Sequence, residues 1–115
     1  MFSKTRRALV TGGTRGIGFK LSQMLLHKGY EVVFTGRTQK NVDYALQNYR
    51  LMLGPSTKIQ GVVLDMSKYP LFEDPIPCHF DTVIHNAGML SRDTILNMDE
   101  KRFQKMFSIN ALSVV

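Results

Sequence analysis

Two kinds of segment take turns along this chain. Short runs of β-branched and other apolar residues end at glycine or at a polar residue, as buried strands do. Longer segments between them carry apolar residues three or four positions apart, which is the spacing of an amphipathic helix. The pattern predicts four strands, at 7–12, 30–36, 58–66 and 81–88, and three helices, at 16–29, 39–54 and 99–115.

Residues that start or stop helices mark the boundaries of these segments. Gly29 is expected to end the first helix as a C-terminal cap, and Gly54-Pro55 to stop the second. Asp99 is expected to be the N-cap of the third helix. Prolines interrupt the connection 67–80, so we expect at most a short helix there.

The order of the elements indicates the fold class. Strands that alternate with helices predict an α/β protein whose sheet is parallel and whose crossovers are right-handed. The strands are nearly continuous runs of Val, Ile and Leu, which predicts a sheet covered on both faces. The 115 residues allow one domain at most.

The segment between the first strand and the first helix is rich in glycine. It reads Thr11-Gly12-Gly13-Thr14-Arg15-Gly16-Ile17-Gly18. A helix N-terminus with unpaired N–H groups is an anion site suited to pyrophosphate. Gly12 permits a tight turn, Gly16 lets a phosphate approach the backbone, and Gly18 lets the helix pack closely. The alternative is a glycine-rich turn that binds nothing. The segment lacks the Gly-Lys-Ser/Thr ending of a nucleoside triphosphatase P-loop.

The spacing T-G-x-x-x-G-x-G resembles that of the short-chain dehydrogenase/reductase family, in particular its shorter, single-domain members. The resemblance implies a Rossmann-type doubly wound parallel sheet, incomplete here with about four strands and three helices. It implies that residues 1–115 are the N-terminal dinucleotide-binding part of a single Rossmann domain, truncated before the catalytic segment. The loop residues expected to bind cofactor are Gly12, Thr14, Arg15, Gly16, Ile17 and Gly18.

The end of the second strand bears on which cofactor binds. An NAD binder commonly has an acidic residue here, which bonds the ribose 2′-OH. This chain has Arg37 instead, and no acid follows until Asp43. A 2′-phosphate between Arg37 and Arg15 would gain charge-assisted hydrogen bonds. We therefore expect NADP(H) rather than NAD(H), the alternative being that both arginines are simply solvated.

Three further matches to the family follow later strands. Asp65 stands where the family commonly has an Asp that meets the adenine amino group, although a turn aspartate is an equal alternative. Asn86-Ala87-Gly88 looks like the family's N-A-G stretch, in which the Asn braces the central strands and the Gly leaves room for the ribose. Asn110, in "FSINA", matches the Asn of the family's catalytic proton relay, the alternative being an ordinary helix Asn. His85 replaces the Asn usual before N-A-G, and we assign it no role.

Hydride transfer to a carbonyl also needs a proton donor. In this family it is the Tyr of a Tyr-x-x-x-Lys motif, assisted by an upstream Ser. None of the four tyrosines is followed by Lys at that spacing. The resemblance therefore implies an oxidoreductase that acts on a carbonyl/alcohol pair. This chain alone is expected to be inactive, and its fourth strand is expected to be an exposed edge of the sheet. The alternatives are a non-catalytic NADP(H)-binding module and a non-functional truncated product.

Composition and charge limit the kinds of partner that the chain is expected to bind. The net charge is +6, but the basic residues are scattered, so no nucleic-acid partner is expected. No apolar run approaches the roughly 20 residues of a membrane span. A single cysteine excludes an internal disulfide and a cysteine-based zinc site, and no metal is expected. The basic N-terminus allows a transit peptide, but the first strand begins at about Ala8, so we expect a cytoplasmic protein. The expected partners are a small carbonyl or alcohol substrate, and further copies of the full-length form.

Overall fold

The computed structural model describes residues 5–65, 79–88 and 99–110. These residues form four parallel strands and three helices, in the predicted order. The elements are β1 (Arg7–Thr11), α1 (Gly16–His27), β2 (Glu31–Gly36), α2 (Gln39–Leu53), β3 (Ile59–Val63), β4 (Thr82–His85) and α3 (Glu100–Asn110). The connection predicted at 67–80, apart from its last two residues, and the predicted helix beyond residue 110 lie outside the described residues.

The strand order is β3-β2-β1-β4, with every neighbouring pair parallel. Leu9 of β1 lies between Val33 of β2 and Val83 of β4. The chain therefore extends the sheet on one side of β1 through β2 and β3, and then crosses to the other side for β4. Such a change of direction opens a crevice at the carboxyl ends of the strands, where ligands of this fold class bind. The structure confirms the predicted α/β Rossmann-type sheet.

One face of the sheet packs against α1 and α2. Its core contains Val10, Val32 and Phe34 from the strands, together with Val42 and Tyr49 from α2. The Tyr49 ring stacks on Phe19 of α1 with a centroid distance of 4.2 Å, and lies 5.2 Å from the Phe34 ring. Aromatic pairs at such distances contribute about 1 kcal/mol beyond the area that they bury.

The buried face of α1 differs from its most apolar stripe. Gly18, Ser22 and Gln23 are buried, whereas Ile17 is 73% exposed and Met24 is 49% exposed. The close approach of α1 to the loop after β1 leaves no room for a side chain at position 18, and the buried Ser22 hydroxyl bonds to the Gly18 carbonyl. Periodicity predicts the helix correctly but not its inward face.

The residues predicted to end or start helices do so. Gly29 follows the end of α1 with φ +90°, and the N–H of Tyr30 donates to the Leu25 carbonyl at 3.1 Å. The N–H of Gly29 donates to the Leu26 carbonyl, which completes a Schellman motif. Asp99 caps α3 by accepting from the N–H of Arg102 at 2.7 Å.

The opposite face of the sheet is less covered. Leu9 and Val33 are half-buried, and Val83 is 45% exposed. Within the described part of the chain, β4 is an edge of the sheet. Among the described helices, none combines the length and apolarity needed to cross a bilayer.

Candidate functional site

A cavity of about 820 Å³ lies at the carboxyl ends of the strands, at the point where the sheet changes direction. Its volume is within the range of about 300–1,000 Å³ that is usual for sites of small ligands and cofactors. Residues of the glycine loop, of the ends of β2 and β3, and of the segment after β4 line it. The lining residues are Gly12, Thr14, Arg15, Gly16, Thr35, Gly36, Arg37, Asn41, Tyr44, Leu64, Asp65, Asn86, Ala87 and Gly88.

The glycine loop is held by hydrogen bonds from β2. The N–H of Gly12 donates to the Thr35 hydroxyl at 3.1 Å, and the N–H of Gly13 donates to the Thr35 carbonyl at 3.0 Å. Gly12 has φ +72°, a backbone conformation that favours glycine. The loop therefore makes a tight turn directly after β1, as its sequence predicts.

The segment after β4 is joined to the same loop. The side-chain amide of Asn86 donates to the Gly12 carbonyl at 3.0 Å. The Thr11 hydroxyl, at the end of β1, accepts from the N–H groups of Asn86 and Ala87, both at 3.1 Å. Asn86 thus joins the end of β4 to the end of β1, and the backbone beside it is fixed where it lines the cavity.

The N-terminus of α1 has no side-chain cap. Its N-cap residue, Arg15, makes no capping hydrogen bond, and no acidic residue stands in its first turn. The other two helices differ: α2 is capped by the Thr38 hydroxyl, and α3 by Asp99. Uncapped N–H groups and the helix dipole give this end of α1 a partial positive charge that faces the cavity. The arrangement suits an anionic group such as a phosphate.

Two positions of the loop are occupied by glycine for different structural reasons. Gly16 has φ +62°, and a Cβ there would meet no atom within 4 Å, so its backbone is open towards the cavity that it lines. A Cβ at Gly18 would overlap the Gly12 carbonyl and lie 2.5 Å from the Asn86 side-chain nitrogen. Gly18 therefore permits the close packing of α1 that its sequence position predicts.

The charged residues that line the cavity are mainly basic. Arg15 and Arg37 are both exposed and both line it, and neither pairs with a carboxylate of the described residues. No acidic residue stands at the end of β2, where Gly36 is followed by Arg37. The acidic lining residue, Asp65, comes from the end of β3. In the described part of the chain, no group of three His, Cys, Asp or Glu residues could hold a metal ion.

Most of the residues predicted to bind cofactor come together. Nine of the eleven line the cavity, from four separate segments of the chain. The other two are Ile17, which is exposed, and Gly18, which is buried beneath the loop. Asn110 is the last residue of α3, and its side chain lies outside the described residues.

Sequence reasoning missed two polar lining residues of α2, Asn41 and Tyr44. They stand on successive turns of the helix that begins next to Arg37, and Tyr44 is 67% exposed. An exposed aromatic residue three positions after Asn41, at the N-terminal end of an amphipathic helix, is the signal that could have identified this wall of the cavity.

Comparisons with known proteins agree with this arrangement. Residues 6–115 match the family described as short chain dehydrogenase. The 3alpha-hydroxysteroid dehydrogenase of Mediterraneibacter gnavus is 32% identical over 126 residues, covering 99% of this chain and 48% of the relative. The L-2,3-butanediol dehydrogenase of Corynebacterium glutamicum is 27% identical over 113 residues, covering 93% of this chain and 43% of the relative.

A solved structure of a short chain dehydrogenase/reductase family protein superposes with a TM-score of 0.77 at 25% identity, covering 95% of this chain and 45% of that protein. The chain therefore spans about half the length of the curated relatives that it matches. The match to the family extends from the first strand through the last described helix. This chain belongs to the short-chain dehydrogenase/reductase family of oxidoreductases.

Proposed function

We propose that this chain is the cofactor-binding part of an NADP(H)-dependent oxidoreductase that interconverts a carbonyl and an alcohol. In such an enzyme the cofactor supplies or accepts the hydride. The residues described here would bind the cofactor and orient it. The observation that carries the proposal is the uncapped N-terminus of α1, which opens onto a cavity of cofactor size.

The residues of the cavity fit a dinucleotide. The α1 N-terminus with Gly16 would receive the pyrophosphate, because its N–H groups lack a side-chain cap. Asp65, at the end of β3, would accept from the adenine amino group. The backbone around Gly88, on the β4 side of the cavity, would lie beside the ribose of the nicotinamide.

Charge favours NADP(H) over NAD(H). Arg37 would bond a 2′-phosphate from the end of β2, and Arg15 from the loop. A guanidinium can bind phosphate with two parallel hydrogen bonds, and neither arginine would have to give up a carboxylate of the described residues. NADH lacks this phosphate and would leave both charges solvated.

The names of two relatives support the carbonyl/alcohol class of substrate, since a hydroxysteroid and a butanediol are both alcohols that a dehydrogenase oxidises to carbonyls. Our proposal includes Asn110 as part of the proton relay of the full-length enzyme. It also includes a cytoplasmic location and a full-length form that assembles with further copies of itself.

The test of the cofactor is a pair of dissociation constants, for NADPH and NADH, measured by nucleotide fluorescence on the purified chain. We expect tighter binding of NADPH by about tenfold, the effect of one charge-assisted contact. Arg37→Asp should narrow or reverse the preference. The control is Arg50→Asp, because Arg50 is an exposed residue of α2 that does not line the cavity. Equal affinities in the unmutated chain would refute the assignment of Arg15 and Arg37.

One sequence feature favours a second function, that of a non-catalytic NADP(H)-binding module. No tyrosine of the chain is followed by Lys at the spacing of the family's catalytic pair. Consumption of NADPH by the chain in the presence of a panel of ketones would exclude this alternative.

A further inference from the structure

Tyr49 is the largest fully buried side chain of the described residues, and its hydroxyl is polar. That hydroxyl donates to the backbone carbonyl of Gly13 at 2.6 Å. The partner belongs to the glycine loop, 36 residues earlier in the chain. A buried hydroxyl must be paired or it destabilises the fold, so the bond fixes the position of Gly13 relative to α2.

Ser22 makes a similar contact at the other end of the glycine-rich segment. Its side chain is fully buried, and its hydroxyl donates to the Gly18 carbonyl at 2.9 Å. The Ser22 and Tyr49 hydroxyls lie near each other, and each donates its single proton to a backbone carbonyl. Two buried side chains, from α2 and α1, therefore hold the carbonyls of Gly13 and Gly18. We call Tyr49 and Ser22 the buried hydroxyl pair.

The residues between these two carbonyls are the ones expected to meet the pyrophosphate. Their N–H groups can receive an anion only when the backbone holds one particular shape. Gly16, with φ +62°, leaves that shape weakly fixed by local sterics, because glycine adopts many backbone conformations. Arg15, the N-cap residue, does not fix it either, because it makes no side-chain capping bond.

We infer that the buried hydroxyl pair, Tyr49 and Ser22, positions the glycine loop for binding of the cofactor pyrophosphate while touching no cofactor atom. The inference rests on the proposed function. Both side chains are fully buried, and neither lines the cavity. They act by raising the fraction of molecules whose loop is ready to bind, and that fraction multiplies the affinity.

The test removes one hydroxyl. Tyr49→Phe keeps the ring and its stacking on Phe19, and deletes only the bond to Gly13. Tyr30→Phe is the matched control, because its hydroxyl contacts Arg6 and does not reach the loop. We expect Tyr49→Phe to weaken NADPH binding about fivefold, the equivalent of one hydrogen bond. Adenosine 2′-monophosphate has no pyrophosphate and contacts Arg37 outside the loop as well as Arg15 within it, so it should lose less affinity than NADPH, about twofold at most.

A second readout needs no cofactor. Amide hydrogen exchange should become faster at residues 14–18 in Tyr49→Phe and unchanged there in Tyr30→Phe. Ser22→Ala should produce the same pattern more weakly, and it serves in place of Tyr49→Phe should that variant fail to fold.

The outcomes separate the two ideas. Failure of the unmutated chain to bind NADPH would refute the proposed function, and the exchange rates would still test the positioning. Unchanged NADPH affinity and unchanged exchange in Tyr49→Phe would refute the positioning alone. An equal loss of affinity for both nucleotides would also refute it, because that is the signature of general destabilisation.

Discussion

The side-chain amide of Asn86 donates to the backbone carbonyl of Gly12 at 3.0 Å. The bond joins the segment after β4 to the loop after β1, two segments that border the same cavity. A neutral amide is the required group, because the Gly12 carbonyl can only accept a hydrogen bond. The cavity wall and the loop are therefore one hydrogen-bonded unit.

Asn86→Asp should destabilise the chain more than Asn86→Ala. The aspartate would place a carboxylate against the Gly12 carbonyl, whereas alanine only leaves that carbonyl without its partner. We expect a loss of about 1 kcal/mol for alanine and about 2–3 kcal/mol for aspartate in the free energy of unfolding. Urea denaturation measures both. Asn48→Asp, on a part of α2 that does not line the cavity, should have little effect. Equal stability of the two Asn86 variants would contradict the assigned bond.

Replacing each of two threonines that support the loop by valine should lower the free energy of unfolding by different amounts. The Thr11 hydroxyl accepts from two N–H groups, and the Thr35 hydroxyl accepts from that of Gly12. Valine keeps the shape but leaves the donors without a partner. We expect Thr11→Val to cost about 2–3 kcal/mol and Thr35→Val about 1–2 kcal/mol. The reverse order in urea denaturation would mean that water replaces the lost acceptor at Thr11.

Replacing two glycines of the loop by alanine should also lower the free energy of unfolding by different amounts. At Gly18 the added methyl overlaps the Gly12 carbonyl, so the helix must move away from the loop. We expect a loss of about 2 kcal/mol in the free energy of unfolding. At Gly16 the methyl meets no atom, and the cost is about 1 kcal/mol of backbone strain. A Gly18→Ala variant as stable as the parent would show that α1 does not pack as described.

Tyr49 predicts a specific loss of stability in alkali. Burial raises the pKa of Tyr49 to about 12, from an ordinary value of 10.0, and the nearby Ser22 hydroxyl opposes the rise only in part. Because the folded state holds the proton more tightly, the stabilisation is complete below about pH 10 and is lost as the pH rises towards 12. The unmutated chain should lose about 1 kcal/mol more than Tyr49→Phe between about pH 8 and about pH 11.

Parallel urea titrations of the two proteins at both pH values measure this difference. The other titrating groups are common to both proteins, so their contributions cancel. An identical pH dependence would mean that the Tyr49 hydroxyl is accessible to solvent in the folded state.

The helices, the strands and much of the site could be predicted from the sequence, because they depend on residues that are close together along the chain. Periods of two and of about 3.6 residues identify strands and helices, and the glycine loop stands between the two elements that give it meaning. Gly29 and Asp99 end and start helices through contacts within a few residues, and both predictions are confirmed.

The residues that escaped prediction act across the fold. Thr35 and Tyr49 hold the glycine loop from β2 and α2, and nothing in their neighbours along the chain indicates that contact. The inward face of α1 could not be predicted either, because the loop after β1 lies so close to the helix that position 18 has no room for a side chain. Contacts of this kind depend on how close the elements pack, which periodicity does not encode.

The most direct measurement is a two-dimensional ¹H–¹⁵N spectrum of the chain titrated with NADPH. We expect saturable shifts of the amide signals of residues 12–18, of Arg37 and of residues 86–88, which belong to segments that line the one cavity. The signals of Tyr30 and Lys58, at the opposite ends of the strands, should stay in place. Shifts that do not saturate, or that fall outside the cavity while the glycine loop is unchanged, would contradict the account.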